Sequence, residues 1–100
     1  MFVILWEFEV KPGCEKRFED SYGPDGDWAR FFRRDAHYRE TRLLRDPVRA
    51  NNYVTLDAWD SREAYENFQR ENREEYQALD ASFEQLTVRE THVGSFVQIS

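Results

Sequence analysis

The sequence has one cysteine, Cys14, and two histidines, and this scarcity limits the chemistry open to the chain. A single cysteine forms no intramolecular disulfide, which suits a reducing compartment, and we expect a cytoplasmic protein. There is no CxxC or HExxH motif, and His37 and His92 are far apart in sequence, so no metal site is predicted. A Cys–His nucleophile stays open, although Cys14 lies at the start of a predicted short helix, where a small residue packs easily.

Phosphate-binding loops, an excess of positive charge and long apolar runs are also missing. The four glycines form no GxGxxG or GxxxxGK motif, which disfavours a nucleotide cofactor. The net charge is -6, whereas nucleic acid and anionic membranes require a basic patch. No apolar run approaches the ~20 residues of a membrane-spanning helix. The apolar start lacks the basic region of a signal peptide, and we interpret it as a strand. Neither a nucleic acid nor a membrane is therefore predicted as a partner.

Aromatic residues are what the chain has in abundance. They make up 16% of its 100 residues, so rings must form much of the core of a single domain over residues 1–100. Aromatic side chains also line many ligand pockets. The composition thus predicts one small soluble domain with an aromatic interior.

The apolar periodicity predicts the order β-α-β-β-α-β. The predicted elements are a strand over 2–10, a helix over 14–22 with a second piece capped by Asp27, strands over 37–45 and 53–59, a helix after Trp59, and a strand over 87–99. Asp60 and Glu63 have the spacing of a capping box, and the helix they begin is either long or broken near Asp80. Gly94 predicts a bulge in the last strand. This order is the ferredoxin-like α+β arrangement, an antiparallel sheet with helices on one face.

The strand over 53–59 has two different faces. One face is apolar and consists of Val54, Leu56 and Ala58. The other face consists of Tyr53, Thr55, Asp57 and Trp59. We assign the apolar face to the bare side of the sheet, which predicts a homodimer formed through that side. The second face would then point toward the helices, although a slip of one residue would invert the assignment.

Polar groups on a face that packs against helices need partners, because each unpaired buried group costs about 1–3 kcal/mol. A wet pocket between sheet and helices would satisfy them. Alternatively, Asp57 lies at an exposed strand end and pairs with Arg42 or Arg89. In a pocket, burial would raise the pKa of Asp57 and make it a base near neutral pH. His92 and His37 are rival bases, unless they occupy ordinary polar positions in strands.

Three segments resemble the antibiotic-biosynthesis monooxygenase family of the dimeric α+β barrel superfamily. They are the opening strand with its Lys-Pro-Gly turn, the segment GPDGDWARFFRR, and the run from Tyr53 through AWDSREAYENF to Tyr76. The resemblance implies a dimer with a pocket between sheet and helices in each subunit. It also implies a reaction without a cofactor, in which a phenolic or anthrone-like substrate loses a proton and its carbanion reacts with dioxygen.

The same resemblance suggests which residues hold a substrate. Trp59 and Tyr65 match the family's strand-end tryptophan and the tyrosine six residues later, whereas Thr55 replaces its asparagine. Arg89 is a candidate for the family's arginine. The expected substrate-binding set is Trp59, Tyr65, Tyr53, Thr55, Trp28 and Phe32. In the alternative interpretation, Trp59 is a packing wedge and the Trp28 stripe belongs to the core.

The leading hypothesis is a cofactor-independent monooxygenase that oxidises a planar phenolic or quinol-type small molecule, with Asp57 or His92 as the base. The alternative is a non-catalytic binding or structural protein, and an isomerase or decarboxylase is a third possibility. The haem-degrading branch of the superfamily is a poorer match. Trp6 stands near the place of its first-strand asparagine, and Gln69 and Arg70 stand where it has a histidine.

Overall fold

The order of the elements is the predicted one, with each helical unit divided into two pieces. The computed structural model describes all residues from 1 to 100. Its elements are β1 (Phe2–Val10), α1 (Glu15–Tyr22), α2 (Asp27–Phe32), β2 (Tyr38–Arg45), β3 (Asn52–Trp59), α3 (Arg62–Glu71), α4 (Arg73–Phe83), a single 3₁₀ turn (Glu84–Leu86) and β4 (Thr87–Val97). The ferredoxin-like α+β fold is therefore confirmed.

The four strands form an antiparallel sheet in the order β2-β3-β1-β4, so that β1 and β3 are central. Alternate residues of the central strands point toward the helices, as when Phe8 packs on Phe18 at a ring-centroid distance of 5.2 Å. Tyr53, opposite Phe8 in the register, packs on the same Phe18 ring. The predicted face assignment of β3 is thus confirmed, because Tyr53 and the residues alternating with it face the helices.

The predicted irregularity of the last strand lies next to Gly94. Leu5 pairs with Gly94 but Trp6 pairs with His92, so Val93 is the extra residue of a β-bulge. The ring of Phe96 lies over Gly94, where an added Cβ would approach its Cζ atom to 2.6 Å. Gly94 is therefore needed for the close approach of this ring.

Two predicted helix caps are wrong. Asp27 is the first residue of α2, and the N-cap is Gly26, which offers no side-chain hydrogen bond. Ser61 caps α3 instead of Asp60, and its Oγ accepts a hydrogen bond of 3.1 Å from the backbone N–H of Ala64. Asp60 is turned toward the start of β2, where its carboxylate contacts the side chains of His37 and Arg39. These two side chains engage the carboxylate that the capping box would need.

The second helical unit breaks at Asn72 and not near Asp80. The side-chain amide of Asn72 donates a hydrogen bond of 2.9 Å to the carbonyl of Phe68, and its backbone N–H donates to the same oxygen at 3.0 Å. Asparagine side chains compete with the backbone in this way, which favours helix ends over helix interiors. The break separates α3 from α4.

The core lies between the sheet and the helices and is mainly aromatic. Of the 15 residues in the central buried cluster, all but Ile4, Val10 and Leu86 carry an aromatic ring. Phe18 and Tyr22 stack at a centroid distance of 4.2 Å, and Trp59 is completely buried among neighbouring rings. Rings packed in this way contribute beyond their buried area.

The opposite face of the sheet carries no helix. It presents partly exposed apolar residues, and Phe96 keeps 50% of its surface exposed. The apolar residues of this bare face are Val3, Leu5, Leu44, Val54, Leu56, Ala58 and Phe96. Ala58 is itself buried by its neighbours. The predicted apolar character of this face is present.

Candidate functional site

A cavity of about 270 Å³ lies between the sheet and the helices. Its walls come from all four helices and all four strands. The lining residues are Ile4, Trp6, Phe8, Tyr22, Trp28, Phe32, Thr41, Thr55, Asp57, Tyr65, Tyr76, Asp80 and Glu90. A concave, mostly apolar site with a few polar groups is typical of small-molecule binding.

Aromatic rings form most of the cavity wall. Tyr76 of α4 meets Trp28 of α2 edge to face at 5.1 Å, and Trp28 lies 5.8 Å from Phe32. The hydroxyl of Tyr65 accepts a hydrogen bond of 2.6 Å from the Gln69 amide. Burial raises the pKa of Tyr65, and it raises that of Tyr76 to about 12, so both phenols are neutral donors at physiological pH. Such walls suit a flat, largely apolar ligand.

Asp57 is the carboxylate at the sheet end of the cavity. Thr41, which is its register partner on β2, donates a hydrogen bond of 2.6 Å from Oγ1 to the Asp57 Oδ1. Burial raises the pKa of Asp57 to about 6, and the bond from Thr41 acts in the opposite direction. The predicted pairing with arginine is absent, since Arg42 binds Glu40 and Arg89 lies 3.3 Å from Glu9. Asp57 can therefore exchange a proton near neutral pH.

Two more carboxyl groups, Asp80 of α4 and Glu90 of β4, line the cavity. Burial raises the pKa of both groups, and the negative charge of Glu84 raises each further. The charge of Asp80 also raises the pKa of Glu90. No lysine, arginine or histidine lines the cavity. Its ionisable groups are thus all acids or phenols.

Five of the eight predicted site residues line the cavity. They are Asp57, Thr55, Tyr65, Trp28 and Phe32. Trp59 does not line it, because it is fully buried behind Phe32 and Tyr65, with ring centroids at 5.6 and 5.5 Å. Trp59 therefore supports two wall residues and does not reach a ligand itself.

The structure also keeps Tyr53 and His92 out of the cavity. The Tyr53 hydroxyl donates a hydrogen bond of 2.5 Å to Glu19, and its ring packs on Phe18. His92 is exposed, with its ring 5.1 Å from Trp6 and its Nε2 3.2 Å from the Ser95 hydroxyl. His92 thus contacts Trp6, which lines the cavity, but does not line the cavity itself.

The two histidines do not meet. His37 precedes β2 and His92 lies on β4, and these strands form opposite edges of the sheet. The Nδ1 of His37 contacts the Asp60 carboxylate at 3.1 Å. No group of three or more His, Cys, Asp or Glu side chains is arranged to hold a metal ion. No helix of the chain combines the length and the hydropathy that crossing a membrane requires.

Sequence reasoning missed Thr41, Tyr76, Asp80 and Glu90. A signal was present for Tyr76 and Asp80, which are four residues apart and so share a helix face. Glu90 lies opposite Phe8, and Thr41 lies opposite Asp57, because of strand registers that cannot be read from the sequence. These two residues could be found only from the assembled sheet.

The raised pKa of Asp57 predicts how stability depends on pH. Its folded value of about 6 exceeds the ordinary 3.8, so the folded chain holds a proton that the unfolded chain has lost between these values. The free energy of unfolding should therefore fall as pH rises through this window. Between pH 5 and 7, urea unfolding should show a loss about 1 kcal/mol larger for the native chain than for Asp57→Asn. Equal pH slopes in the two proteins would contradict the shift.

The fold and the site together define a ferredoxin-like α+β domain with one aromatic, acid-lined cavity. The sequence model of the family "Antibiotic biosynthesis monooxygenase" matches residues 1–82. The chain therefore belongs to the antibiotic biosynthesis monooxygenase family, which confirms the resemblance. No curated protein sequence matches the chain.

Solved structures share the fold over almost the entire chain. SnoaB, a cofactor-independent oxygenase from Streptomyces nogalater, is similar at a TM-score of 0.79 and 21% identity, covering 99% of this chain and 93% of SnoaB. A Deinococcus radiodurans protein that carries the family's name is similar at a TM-score of 0.78 and 8% identity, and the alignment covers 100% of this chain and 94% of that protein. PA3566 from Pseudomonas aeruginosa is similar at a TM-score of 0.69 and 15% identity, and the alignment covers 99% of this chain and 94% of PA3566. At these identities the likeness shows the common fold.

Proposed function

We propose that this protein is a cofactor-independent monooxygenase that oxidises a planar phenolic or quinol-type small molecule with dioxygen. The observation that carries the proposal is Asp57, a partly buried carboxylate that lines an aromatic cavity and whose pKa is raised by desolvation to about 6. A base with a pKa near the working pH is well suited to proton abstraction. Family membership and the fold shared with a cofactor-independent oxygenase support the same reaction class.

In the proposed reaction the protein binds, orients and deprotonates, and the substrate supplies the electrons. Asp57 takes a proton from an activated carbon of the phenolic substrate, and the remaining electron pair reduces dioxygen as a C–O bond forms. Cleavage of the O–O bond then leaves one oxygen atom on the substrate as a carbonyl. The other leaves as water, which takes one hydrogen from the protonated Asp57 and the second from the same carbon, whose remaining C–H bond breaks as the carbonyl forms. Tyr65, Trp28 and Phe32 would hold the ring in the orientation that this step needs.

Dioxygen uptake is the experiment that tests the reaction class. The purified protein would be supplied with hydroquinones, naphthols and anthrones while an oxygen electrode records consumption above the autoxidation of each compound. Catalysed uptake with a product that has gained one oxygen atom supports the proposal. Binding without uptake would favour a non-catalytic binding protein, and a product of unchanged oxidation state would favour an isomerase.

A non-catalytic binding protein is the second candidate, and one observation favours it. The cavity has no cationic side chain, and Arg89, the candidate for the family's arginine, is paired with Glu9 away from the cavity lining. An oxyanion that forms next to the substrate carbanion would have to rely on neutral donors such as Tyr65. Donors of this kind stabilise developing charge less than a cation does.

The acidic lining predicts which ligands are accepted. Asp57, Asp80 and Glu90 would repel a ligand carboxylate, and no cavity residue offsets them. We expect 6-hydroxy-2-naphthoate to bind at least about tenfold more weakly than neutral 6-hydroxymethyl-2-naphthol, measured by calorimetry at pH 7.5. The double variant Asp80→Asn, Glu90→Gln should reduce this difference in affinity. Glu74→Gln, which removes an exposed charge from α4, the helix of Asp80, should leave the difference unchanged. Equal affinities in the native protein would contradict the charge argument.

We also propose that two copies pair through the bare face of the sheet. This apolar face includes Leu56 on a central strand and the half-exposed Phe96 on an edge strand. Light scattering coupled to size exclusion should give twice the 12.1 kDa of one chain, whereas Leu56→Asp should give one chain. Val48→Asp, on a loop position that is 88% exposed, is the matched control and should remain dimeric. A native mass of 12.1 kDa would remove the proposal.

A further inference from the structure

Asp57 is the end of a short chain of hydrogen bonds that begins at Tyr38. The Tyr38 hydroxyl and the Thr41 Oγ1 are 2.7 Å apart, and Thr41 donates to Asp57 Oδ1 at 2.6 Å. Tyr38 and Thr41 are both on β2 and are 9% and 5% exposed. The two hydroxyl groups are therefore largely shielded from competition by bulk water, whereas Asp57 is partly exposed and lines the cavity.

A β-bulge makes this alignment possible. In a regular strand, residues three apart point to opposite faces of the sheet. Tyr38 pairs with Trp59 and Glu40 pairs with Ala58, so Arg39 is an extra residue in β2. The extra residue turns Tyr38 to the same face as Thr41. Both hydroxyls consequently lie on the helix side of the sheet together with Asp57.

The direction of the chain follows from a count of hydrogens. A threonine hydroxyl has one hydrogen, and Thr41 gives it to the Asp57 carboxylate. The Tyr38 hydroxyl must therefore be the donor in its contact with Thr41. Asp57 Oδ1 is occupied as an acceptor, whereas Oδ2 has no hydrogen-bond partner within the protein. A proton that arrives at this carboxylate has its free acceptor at Oδ2.

We propose that Tyr38 and Thr41 are positioning residues that hold the Asp57 carboxylate so that Oδ2 is presented to the cavity as the proton acceptor. The assignment of Asp57 as a base rests on the proposed function, whereas its orientation is a property of the free protein. Hydrogen bonds to a carboxylate favour its charged form and are stronger than those between neutral groups. The chain thus keeps Asp57 ionised more than its burial alone would allow.

The test is a ¹³C NMR titration of the Asp57 carboxyl carbon in the free protein. In Thr41→Val the pKa of Asp57 should rise by about one pH unit, because the donor to its charged form is lost. Thr41→Ser should restore the native value within a few tenths of a unit. Thr55→Val is the matched control, since Thr55 lines the same cavity but makes no bond to Asp57, and it should leave the titration unchanged.

Tyr38→Phe provides a second, independent reading, and it serves alone if Thr41→Val does not fold. The phenylalanine keeps the ring contacts with Phe32 and Trp59 and removes only the hydroxyl. We expect a smaller rise in the pKa of Asp57, because Thr41 stays a donor but is no longer polarised by Tyr38. An unchanged Asp57 titration in Thr41→Val, or in Tyr38→Phe when that variant is used alone, would overturn the proposal.

The titration of Asp57 and the dioxygen-uptake assay test the two proposals independently. Shifted titrations in a protein that consumes no dioxygen would leave the positioning role intact and remove the proposed reaction. If dioxygen uptake is found, the pH at half-maximal kcat should move upward in Thr41→Val together with the titration and return in Thr41→Ser. A merely structural role for Thr41 would lower activity without moving this pH.

Discussion

Asp57→Asn is expected to lower the rate of substrate-dependent dioxygen uptake by about 10² to 10⁴, the usual contribution of a positioned general base. The asparagine keeps the size of the side chain and can still accept the hydrogen bond from Thr41, so the cavity should keep its shape. What it loses is the group that takes up a proton. The measurement is initial oxygen-electrode rates at pH 7.5 with a substrate that the native protein turns over.

The control for this variant is Asp20→Asn, which removes a carboxylate of the exposed pair with Lys16. Its uptake rate should match that of the native protein. Calorimetry with the same substrate should show that Asp57→Asn still binds, because ring contacts provide most of the affinity. Uptake by Asp57→Asn within about threefold of the native rate would show that another group is the base.

Trp59→Ala is expected to lower the free energy of unfolding by about 3–5 kcal/mol, the range for truncating a buried tryptophan. Trp59 is 0% exposed and packs against Phe32, Tyr38, Tyr65 and Phe68. Such a loss is a large part of the 5–15 kcal/mol that stabilises a typical domain. Urea unfolding followed by far-UV circular dichroism measures it.

Trp59→Phe should cost much less than the alanine variant. The indole N–H of Trp59 is buried without a hydrogen-bond partner, and removing it relieves a penalty of about 1–3 kcal/mol. That relief partly offsets the smaller ring of phenylalanine. Phe96→Ala, at a half-exposed ring, is the comparison site and should cost about 1 kcal/mol or less in the monomer. Equal costs for the two Trp59 variants would show that the cavity left by truncation is not the main effect.

Alternation along β3 was sufficient to predict which residues face the helices, because a strand places successive side chains on opposite sides. The alternation could not predict how deeply each of these side chains is buried. Trp59 and Asp57 share that face, yet Trp59 lies behind a layer of rings while Asp57 lines the cavity. How deeply a side chain is buried depends on where the helices cross the sheet. The apolar pattern predicted a long helix or a break near Asp80, whereas α4 begins after a break at Asn72.

The contacts around Asp57 were beyond sequence reasoning for a different reason. Thr41 meets Asp57 through the register of β2 with β3, and Tyr38 joins them only because Arg39 is an extra residue. Neither a register nor a bulge without glycine leaves a local pattern in the sequence. The bulge in β4 was predictable by contrast, because Gly94 marks it.

That second bulge affects how the sheet resists aggregation. β4 is an edge strand of 11 residues, long enough to recruit a strand of another molecule through its free backbone groups. The extra residue at Val93 interrupts the regular spacing of those groups midway along the strand. Gly94 at the same point lets the Phe96 ring lie against the sheet. The bulge therefore makes open-ended strand addition along this edge less favourable than it would be for a regular strand of the same length.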